Sequence, residues 1–500
     1  MLSIVAAADR LLEIMLDPAR RERGVIWLLA GFVAAWTTYG IISHAGQDVH
    51  YDVGQHVGVS RNLAVGFYHP PVSVLVAGAW FRVFPRTAWA SYLLAAFAVG
   101  VSLWISWKIF GDWLDDTKRV VALAMLTLTP LLTFQALKFN ANTAMLPFWA
   151  AATFFFLRSV ATCDPLYAAL TGIAAGCALL TKYWSIYLIA GLGLAVLVNA
   201  NRRRYFTSAS PWITSAVGLV VIAPHLYFLA SGHRETLSYI GGAMAGVTVA
   251  TSLFDSLLYL AGAAAYVVIP LAILAAMRPS REVLADLIFP RCSERRVTAI
   301  VFWAPLLLPA AVNLVMPTRL TSLWTIPNWT LLPVVLLSPG ALSFSRRAAA
   351  RVLVLAIIVP VAAIVAAPAV AVVQQLKHSP SERPHYHQAA REIDRVWQTK
   401  TNAPLRYIGG DSEMANGVAY YLDSAAPYFA PQMESSSDPK VTRDGIALIC
   451  PAWNRDCVAA VDSMMRRYGG ASEDVTEQRS LLGIAGPPAR FVIAIVPPSH

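Results

Sequence analysis

Long apolar runs separated by short polar segments occupy the first three-quarters of the chain. Val25–Ser43 and Val352–Val373 each contain about the 20 residues that a helix needs to cross a bilayer. Other candidate apolar helices begin near Pro71, Ala88, Val120, Ala144, Leu166, Ser185, Trp212, Leu253, Val297 and Leu323. The pattern predicts a polytopic bundle, since each helix satisfies its own backbone hydrogen bonds inside lipid.

The pattern changes near Gln374 to mixed charge and short alternating apolar stretches. Helices are predicted at Tyr386–Trp397 and Val458–Tyr468. Short strands are predicted at Leu405–Gly409, Gly445–Cys450 and Arg490–Val496. We therefore expect an α-helical polytopic membrane protein with a small C-terminal α/β extracytoplasmic domain. The expected parts are a cytoplasmic segment (1–24), a multi-span transmembrane domain (25–373) with a first outer loop (44–70), and the C-terminal domain (374–500).

Composition agrees with a membrane protein, because 57% of the residues are hydrophobic and 14% are charged, whereas soluble domains carry roughly 25% charge. The net charge of +10 would suggest nucleic acid in a soluble protein. Here the basic residues form short clusters between apolar runs, as positive-inside anchors do. These clusters are Arg20–Arg23, Arg202–Arg204, Arg291–Arg296 and Arg346–Arg347. Membrane lipids are therefore expected as partners, and nucleic acid is not.

The charge clusters also predict topology. If they lie inside, the C-terminal domain lies outside, and an even number of crossings must precede Arg202. Seven candidate helices are present there, so one of them does not cross. Pro71–Phe84, which is short, and Val120–Phe139, which is interrupted at Pro130, are the alternatives, since re-entrant backbone is tolerated where it lines a cavity. The outer side then carries 44–69, 139–143, Lys182 and 233–251.

Ionisable side chains are concentrated in the first outer loop, in a chain otherwise poor in charge. They are Asp48, His50, Asp52, His56, Arg61 and His69. Each alone could be a solvated loop residue, but ionisable groups packed between spans tend to mark a polar site. The histidine spacing does not favour a metal site, because no i, i+4 pair lies on a clear helix with a third ligand nearby.

Two further polar points interrupt apolar runs. Asn140 and Asn142, within Lys138–Thr143, could cap the next helix or take part in a site. Lys182 could extend to the lipid interface or bind an anionic phosphate. In the C-terminal domain, Cys450 and Cys457 could pair in an oxidising compartment or remain thiols.

The order of these features resembles a known group of enzymes. An acidic outer loop precedes the turn Phe67-Tyr68-His69-Pro70-Pro71, and a Pro147-Phe148-Trp149 helix and a Leu180-Thr181-Lys182-Tyr183 element follow. This order resembles the polyprenyl-phosphate-dependent membrane glycosyltransferases of the C-type fold, which include protein-mannosyltransferase-like enzymes and lipid A aminoarabinose transferases. The resemblance covers about the first 230 residues.

The resemblance implies roles for individual residues. An aspartate in the first outer loop is the family's catalytic base. Asp48 matches it by position, with Val49 where Glu is customary, and Asp52 is the rival. His69 would contact the carrier phosphate together with Lys182 and Arg61. The expected substrate-binding residues are His50, Tyr51, Asn140, Asn142 and Arg234.

The chain departs from the family at the polar break, where Asn140-Ala141-Asn142 replaces the usual Asp. A two-carboxylate or metal-assisted mechanism is therefore in doubt. No cofactor is expected, and the need for a divalent cation is left open.

The expected function is transfer of a sugar, with inversion, from polyprenyl phosphate to an acceptor on the periplasmic side of a bacterial inner membrane. The acceptor could be lipid A, another envelope glycan or a protein hydroxyl, and the C-terminal domain would help to select it. One alternative is a transporter or flippase of lipid-linked sugars, for which repeated halves are expected and are not evident. The other is a scaffold without chemistry.

Overall fold

The structure is a computed structural model that describes residues 2–61, 70–232, 247–377, 385–428, 439–469 and 471–498. Its first part is a bundle of helices. They are α1 (Leu2–Leu16), α2 (Arg21–Ser43), α3 (Tyr51–Arg61), α4 (Pro71–Val83), α5 (Ala88–Trp113), α6 (Asp116–Thr127), α7 (Ala141–Thr162), α8 (Pro165–Thr181), α9 (Ile186–Val198), α10 (Arg202–Thr207), α11 (Ser210–Ala230), α12 (Val249–Tyr266), α13 (Val268–Ala276), α14 (Arg281–Ile288), α15 (Ser293–Val315), α16 (Leu332–Leu337) and α17 (Arg346–Leu376).

Within the described ranges, seven helices are long and apolar enough to cross a membrane: α2, α5, α7, α11, α12, α15 and α17. Helix α6 and the two 3-10 turns that follow it, Pro130–Leu132 and Gln135–Leu137, make an eighth apolar segment that is bent by 66°. Pro130 explains this break, because proline has no backbone N–H to continue an α-helix. The prediction of a multi-pass helical membrane protein is confirmed.

Side-chain caps define where several helices begin. The side-chain oxygen of Asn140 accepts hydrogen bonds from the backbone N–H groups of Asn142 and Thr143, at 3.0 and 3.1 Å. Asp164 caps α8 in the same way, and Ser345 caps α17. Such caps satisfy N–H groups that have no partner within the helix. Because Asn140 is the cap of α7, the polar break lies at the start of this helix, at one end of the bundle.

The short helix α4 begins and ends on the same side of the bundle. Arg61, at the end of α3, donates a hydrogen bond to the carbonyl of Ala419 at 3.1 Å. After α4, Arg86 donates to the carbonyl of Leu422 at 3.1 Å, and the carbonyl of Thr87 accepts from the Tyr420 hydroxyl at 3.0 Å. Both flanks of α4 therefore contact the C-terminal domain. Of the two alternatives for the segment that does not cross, this placement favours Pro71–Phe84.

The α6 segment instead runs between the two ends of the bundle. Asp116, at its start, pairs with Arg21 of α2 at 2.8 Å, whereas Lys138, just beyond its end, lines a cavity beside α3. We call the end that contacts the C-terminal domain the outer end. The end that contains Arg21 and Asp116 is the inner end.

The C-terminal domain is built on a five-stranded sheet in the order β2-β1-β3-β7-β4. Strand β1 is parallel to β2 and β3, and β7 is antiparallel to β3 and β4. The strands are β1 (Tyr407–Gly410), β2 (Ala426–Pro427), β3 (Ile446–Pro451), β4 (Ala471–Glu477), β5 (Ser480–Leu481), β6 (Ile484–Ala485) and β7 (Ala489–Val496), and β5 pairs with β6 in a separate two-stranded sheet. The helices are α18 (Tyr386–Lys400), α19 (Ser412–Ala419), α20 (Pro439–Asp444) and α21 (Arg455–Tyr468).

The three strands and two helices predicted for this domain are all observed, with ends that differ by at most three residues. The amphipathic α18 buries Tyr386, Ile393 and Trp397 against the sheet. Cys450 of β3 and Cys457 of α21 form a disulfide with a Cα–Cα distance of 5.8 Å. The pairing that the sequence left open is therefore present.

The described part of the first outer loop contains helix α3. Its polar sequence is compatible with a loop or a surface-lying helix, and in the structure α3 is buried along Val53–Val59. Helix α4, helix α19 and strand β2 all pack against it. The helix is therefore covered by other parts of the protein, which a single-sequence pattern cannot reveal.

Candidate functional site

A cavity of about 660 Å³ lies at the outer end of the bundle. Segments distant in sequence meet there: the start of α3, the 3-10 turns after α6, the start of α7, the break between α8 and α9, and the segment 318–326. Clefts of this size commonly hold small molecules. The cavity is therefore the candidate active site.

Asp52 is the one acidic residue among the described residues that line the cavity. It lies in the first turn of α3, and its side chain is 15% exposed. The Asn140 amide donates a hydrogen bond to Asp52 Oδ2 at 3.2 Å. His50 Nδ1 lies 3.2 Å from the backbone nitrogen of Asp52 and 3.4 Å from the Asp52 carboxylate.

Three basic side chains also line the cavity: Lys138, Lys182 and Arg319. Burial lowers the pKa of Lys182 to about 7, so this amine is only partly protonated at neutral pH until an anion lies beside it. Lys182 follows α8 directly, and its Nζ donates a hydrogen bond to Asn142 Oδ1 at 2.7 Å. The same Nζ lies 4.4 Å from the centre of the Trp324 ring, within range of a cation–π interaction. Lys182 thus points into the cavity, which favours the phosphate-binding alternative over the interfacial one.

The start of α7 connects the carboxylate to the lysine. Asn140 caps α7 with its oxygen and donates to Asp52 with its nitrogen. Asn142 lies in the first turn and accepts from Lys182. Asn140 therefore both caps α7 and contributes to the cavity, as the two interpretations of this polar break proposed separately. The helix cap orients the amide that contacts Asp52.

Asp48 and Arg61 are not among the residues that line the cavity. Asp48 is 5% exposed, pairs with Arg479 at 2.8 Å and accepts a hydrogen bond from the backbone N–H of His387 at 2.8 Å. Arg61 donates to the carbonyls of Ala419, Leu422 and Ala425. These placements do not support direct roles for Asp48 as base or for Arg61 as phosphate ligand, because both side chains are engaged by the C-terminal domain.

The remaining predicted residues divide into two groups. Tyr51 lines the cavity, and its ring lies 4.6 Å from that of His50. His69 and Arg234 lie outside the described residues.

Sequence reasoning missed several residues of the cavity wall. Arg319 lies in the polar segment between α15 and the 3-10 helix Ser322–Leu331, and a lone arginine between two apolar runs was the available signal. Lys138 belonged to the polar break but was not singled out. Trp324 and Tyr187 carried no signal, since aromatic residues are common throughout the spans. Among the described residues, no group of three or more His, Cys, Asp or Glu side chains is arranged to hold a metal ion.

Burial changes the acidity of groups around the outer loop. Desolvation lowers the pKa of His56, which is 1% exposed, and this outweighs the opposite influence of Asp52. Burial also lowers the pKa of Arg61 to about 10, so this guanidinium remains charged at neutral pH. In Tyr421, beside Asp48, burial raises the pKa well above its usual value.

Comparison with known proteins agrees with this architecture. Residues 68–228 match the family described as dolichyl-phosphate-mannose-protein mannosyltransferase. Two crystal structures of ArnT from Cupriavidus metallidurans, one bound to undecaprenyl phosphate and one in the apo state, each share 13% sequence identity with this chain at a TM-score of 0.59. Each alignment covers 94% of this chain and 97% of that one. No curated protein matches the chain in sequence.

The resemblance expected from the short motifs is thus confirmed. The chain has the C-type glycosyltransferase fold seen in ArnT, and the family match falls on α4–α11, the part of the bundle that carries Asn140 and Lys182.

Proposed function

We propose that this protein is a glycosyltransferase that moves a sugar from a polyprenyl-phosphate donor to an acceptor hydroxyl. The observation that carries the proposal is that the described lining of one cavity contains a single carboxylate, Asp52, and three basic side chains. A sugar phosphate already has a good leaving group. The protein therefore has to accept one proton and to stabilise the departing phosphate.

The donor phosphate fits the cationic wall. Lys182 and Arg319 would bind its oxygens, and their positive charge would stabilise the charge that develops as the sugar–phosphate bond breaks. The apolar part of the wall, with Leu323 and Trp324, suits the first isoprene units. The likeness to ArnT, one of whose structures holds undecaprenyl phosphate, supports this choice of carrier.

Asp52 would act as the general base. The acceptor oxygen attacks the anomeric carbon from the side opposite the phosphate, and its proton passes to the Asp52 carboxylate. The C–O bond to the phosphate breaks with its electron pair, which leaves polyprenyl phosphate. One displacement inverts the anomeric centre. Asn140, through its contact with Asp52 Oδ2, holds the carboxylate in place.

The C-terminal domain would lie in the periplasm of a bacterium, with the bundle in the inner membrane. The disulfide Cys450–Cys457 supports placing the C-terminal domain in an oxidising compartment. The clusters Arg202–Arg204 and Arg346–Arg347 support placing the inner end of the bundle in the cytoplasm. The acceptor is then lipid A, another envelope glycan or a protein.

The test is transfer of radiolabelled sugar from a panel of polyprenyl-phosphate sugars to envelope extracts by the purified full chain. We expect covalent transfer by the wild type and a loss of about 10³-fold in kcat in Asp52→Asn, because general bases contribute on the order of 10²–10⁴-fold. The matched control is Asp112→Asn, a carboxylate at the inner end that pairs with Arg158, which should retain full activity.

Two results would contradict the proposal. One is equal activity of Asp52→Asn and wild type. The other is movement of labelled lipid across a vesicle bilayer with no covalent product, which would favour the flippase alternative.

A further inference from the structure

We propose that the C-terminal domain clamps helix α3 at both ends and thereby sets the position of Asp52, so that Asp48 and Arg61 are positioning residues. The catalytic consequence rests on the proposed function. The clamp itself is a statement about structure that can be tested without activity.

The first contact of the clamp lies just before α3. Asp48 Oδ1 pairs with Arg479 Nη1 at 2.8 Å, and Asp48 Oδ2 accepts the backbone N–H of His387 at 2.8 Å. Arg479 precedes the β5–β6 hairpin, and His387 lies in the first turn of α18. Both carboxylate oxygens are therefore held by the C-terminal domain. A displacement of Asp48 is costly, because this carboxylate is buried and the loss of either partner would leave its charge uncompensated.

The second contact lies at the other end of α3. The Arg61 guanidinium donates to the carbonyls of Ala419, Leu422 and Ala425, which surround the end of α19. Arg86, which follows α4, binds the carbonyls of Tyr420 and Leu422 in the same turn. Two arginines of the bundle thus bind one carbonyl-rich turn of the C-terminal domain.

Close backbone packing joins the two contacts. Gly54 and Gly58 lie four residues apart, on one face of α3. A Cβ at Gly54 would overlap the carbonyl of Asn416, and one at Gly58 would lie 2.6 Å from Pro427 Cδ. Glycine permits this approach because it has no Cβ. The middle of α3 therefore packs directly on α19 and β2.

The position of α3 must come from such contacts. It has eleven residues, and helices shorter than about 12–15 residues are marginal alone in water. Asp52 lies between the two ends of the clamp and faces the cavity. A displacement of about 1 Å at a reacting group can cost about 10²-fold in rate. The C-terminal domain would thus control the reaction through α3 even without touching the donor.

The test is a double-mutant cycle on the full chain with Asp48→Asn, Arg479→Gln and the pair. Each single variant should lower kcat by about 10- to 100-fold. The double variant should have the same kcat as either single variant, because the two substitutions remove the same ion pair. Arg479→Lys, which keeps the charge, should recover part of the activity. Affinity for undecaprenyl phosphate, measured with the lipid alone, should stay within about twofold of wild type, because the cavity cations are unchanged.

Amide hydrogen exchange supplies a readout that does not depend on transfer. Exchange within 51–61 should be faster in Asp48→Asn, Arg479→Gln and Arg61→Gln than in wild type, whereas exchange in α15 should be unchanged. Faster exchange throughout the chain in any variant would indicate general unfolding, and Arg479→Lys then replaces Arg479→Gln in the cycle.

Two results would overturn the clamp. The first is unchanged exchange within 51–61 in all three variants. The second is abolished activity in Asp48→Asn whatever residue stands at 479, which would make Asp48 the base. If the wild type transfers no sugar, the proposed function fails, and the exchange measurement still decides the clamp.

Discussion

The two ends of the helical bundle differ in how their charges are balanced. Between the helices of the inner end, three cations pair with carboxylates: Arg21 with Asp116 at 2.8 Å, Lys108 with Glu22 at 2.6 Å, and Arg158 with Asp112 at 2.7 Å. At the outer end, Lys138, Lys182 and Arg319 share a cavity with Asp52 alone among the described lining residues. The cavity therefore carries an excess of positive charge.

The comparison separates charges that join helices to one another from charges that are available to a ligand. The inner pairs join α2 to α5 and α6, and α5 to α7, and partly exposed pairs of this kind are worth roughly 0–1 kcal/mol each. Cations gathered beside one carboxylate repel one another, and a bound anion would offset that cost. The unbalanced charge enclosed in this cavity, more than the presence of charged residues, makes the outer end the candidate binding site.

The largest expected effect comes from removing two cavity cations together. Lys182→Met combined with Arg319→Gln should weaken binding of undecaprenyl phosphate by on the order of 10³-fold, because each hydrogen bond to a charged group contributes about 1.5–3 kcal/mol. Binding of the radiolabelled lipid to purified protein measures it. The matched control, Lys108→Met with Arg346→Gln at the inner end, should bind normally. Equal losses in both pairs would remove the distinction between the two ends.

A smaller effect is expected when Lys182 loses its partner. Asn142→Leu removes the acceptor that holds Lys182 Nζ at 2.7 Å, and donor affinity should fall by roughly tenfold, since a single charged hydrogen bond is lost. The same lipid-binding measurement applies. Asn199→Leu, at the inner end, is the control and should leave affinity unchanged. No change in Asn142→Leu would show that donor affinity does not depend on the hydrogen bond between Asn142 and Lys182.

The inner pairs should contribute to stability and not to transfer. Glu22→Gln removes the partner of Lys108 and weakens the acceptor of the Trp107 ring N–H. We expect the free energy of unfolding to fall by about 0.5–1 kcal/mol, measured by reversible unfolding in detergent, with kcat unchanged. A tenfold loss of transfer in this variant would place function at the inner end as well.

The smallest expected effect is a pH dependence at the outer end. Burial lowers the pKa of His56 below its ordinary value of about 6.5. Between the two pKa values the unfolded chain binds a proton at His56 and the folded protein does not. The free energy of unfolding is therefore highest above the unfolded-state pKa and decreases as pH falls toward the folded-state pKa. Unfolding from pH 8 to pH 5 should show this loss in the wild type and less of it in His56→Gln. Parallel curves for the two proteins would exclude the titration.

Local signals in the sequence predicted most of the fold. The apolar runs identify the helices of the bundle, the polar break at Asn140 contains a helix cap, and alternating patterns identify β1, β3 and β7 within a few residues. Strand β4, Ala471–Glu477, was missed because an edge strand with Ser, Glu, Asp and Thr has little apolar alternation. Motif order also identified the C-type fold, since short motifs keep their sequence order when overall identity is only 13%.

By itself, the sequence determined that the chain crosses a membrane several times, carries a small α/β domain and concentrates polar groups in the first outer loop and beside Lys182. Hydropathy and periodicity are properties of neighbouring residues, so they are readable without a structure. Only the tertiary structure decided that Asp52 faces the cavity while Asp48 faces Arg479, and that Arg319 lies in the same wall as Lys182. Asp48 and Asp52 are four residues apart and chemically identical. Their partners lie far along the chain, 88 residues away for Asp52 and Asn140 and 431 for Asp48 and Arg479, and meet them only when the helices and the C-terminal domain pack.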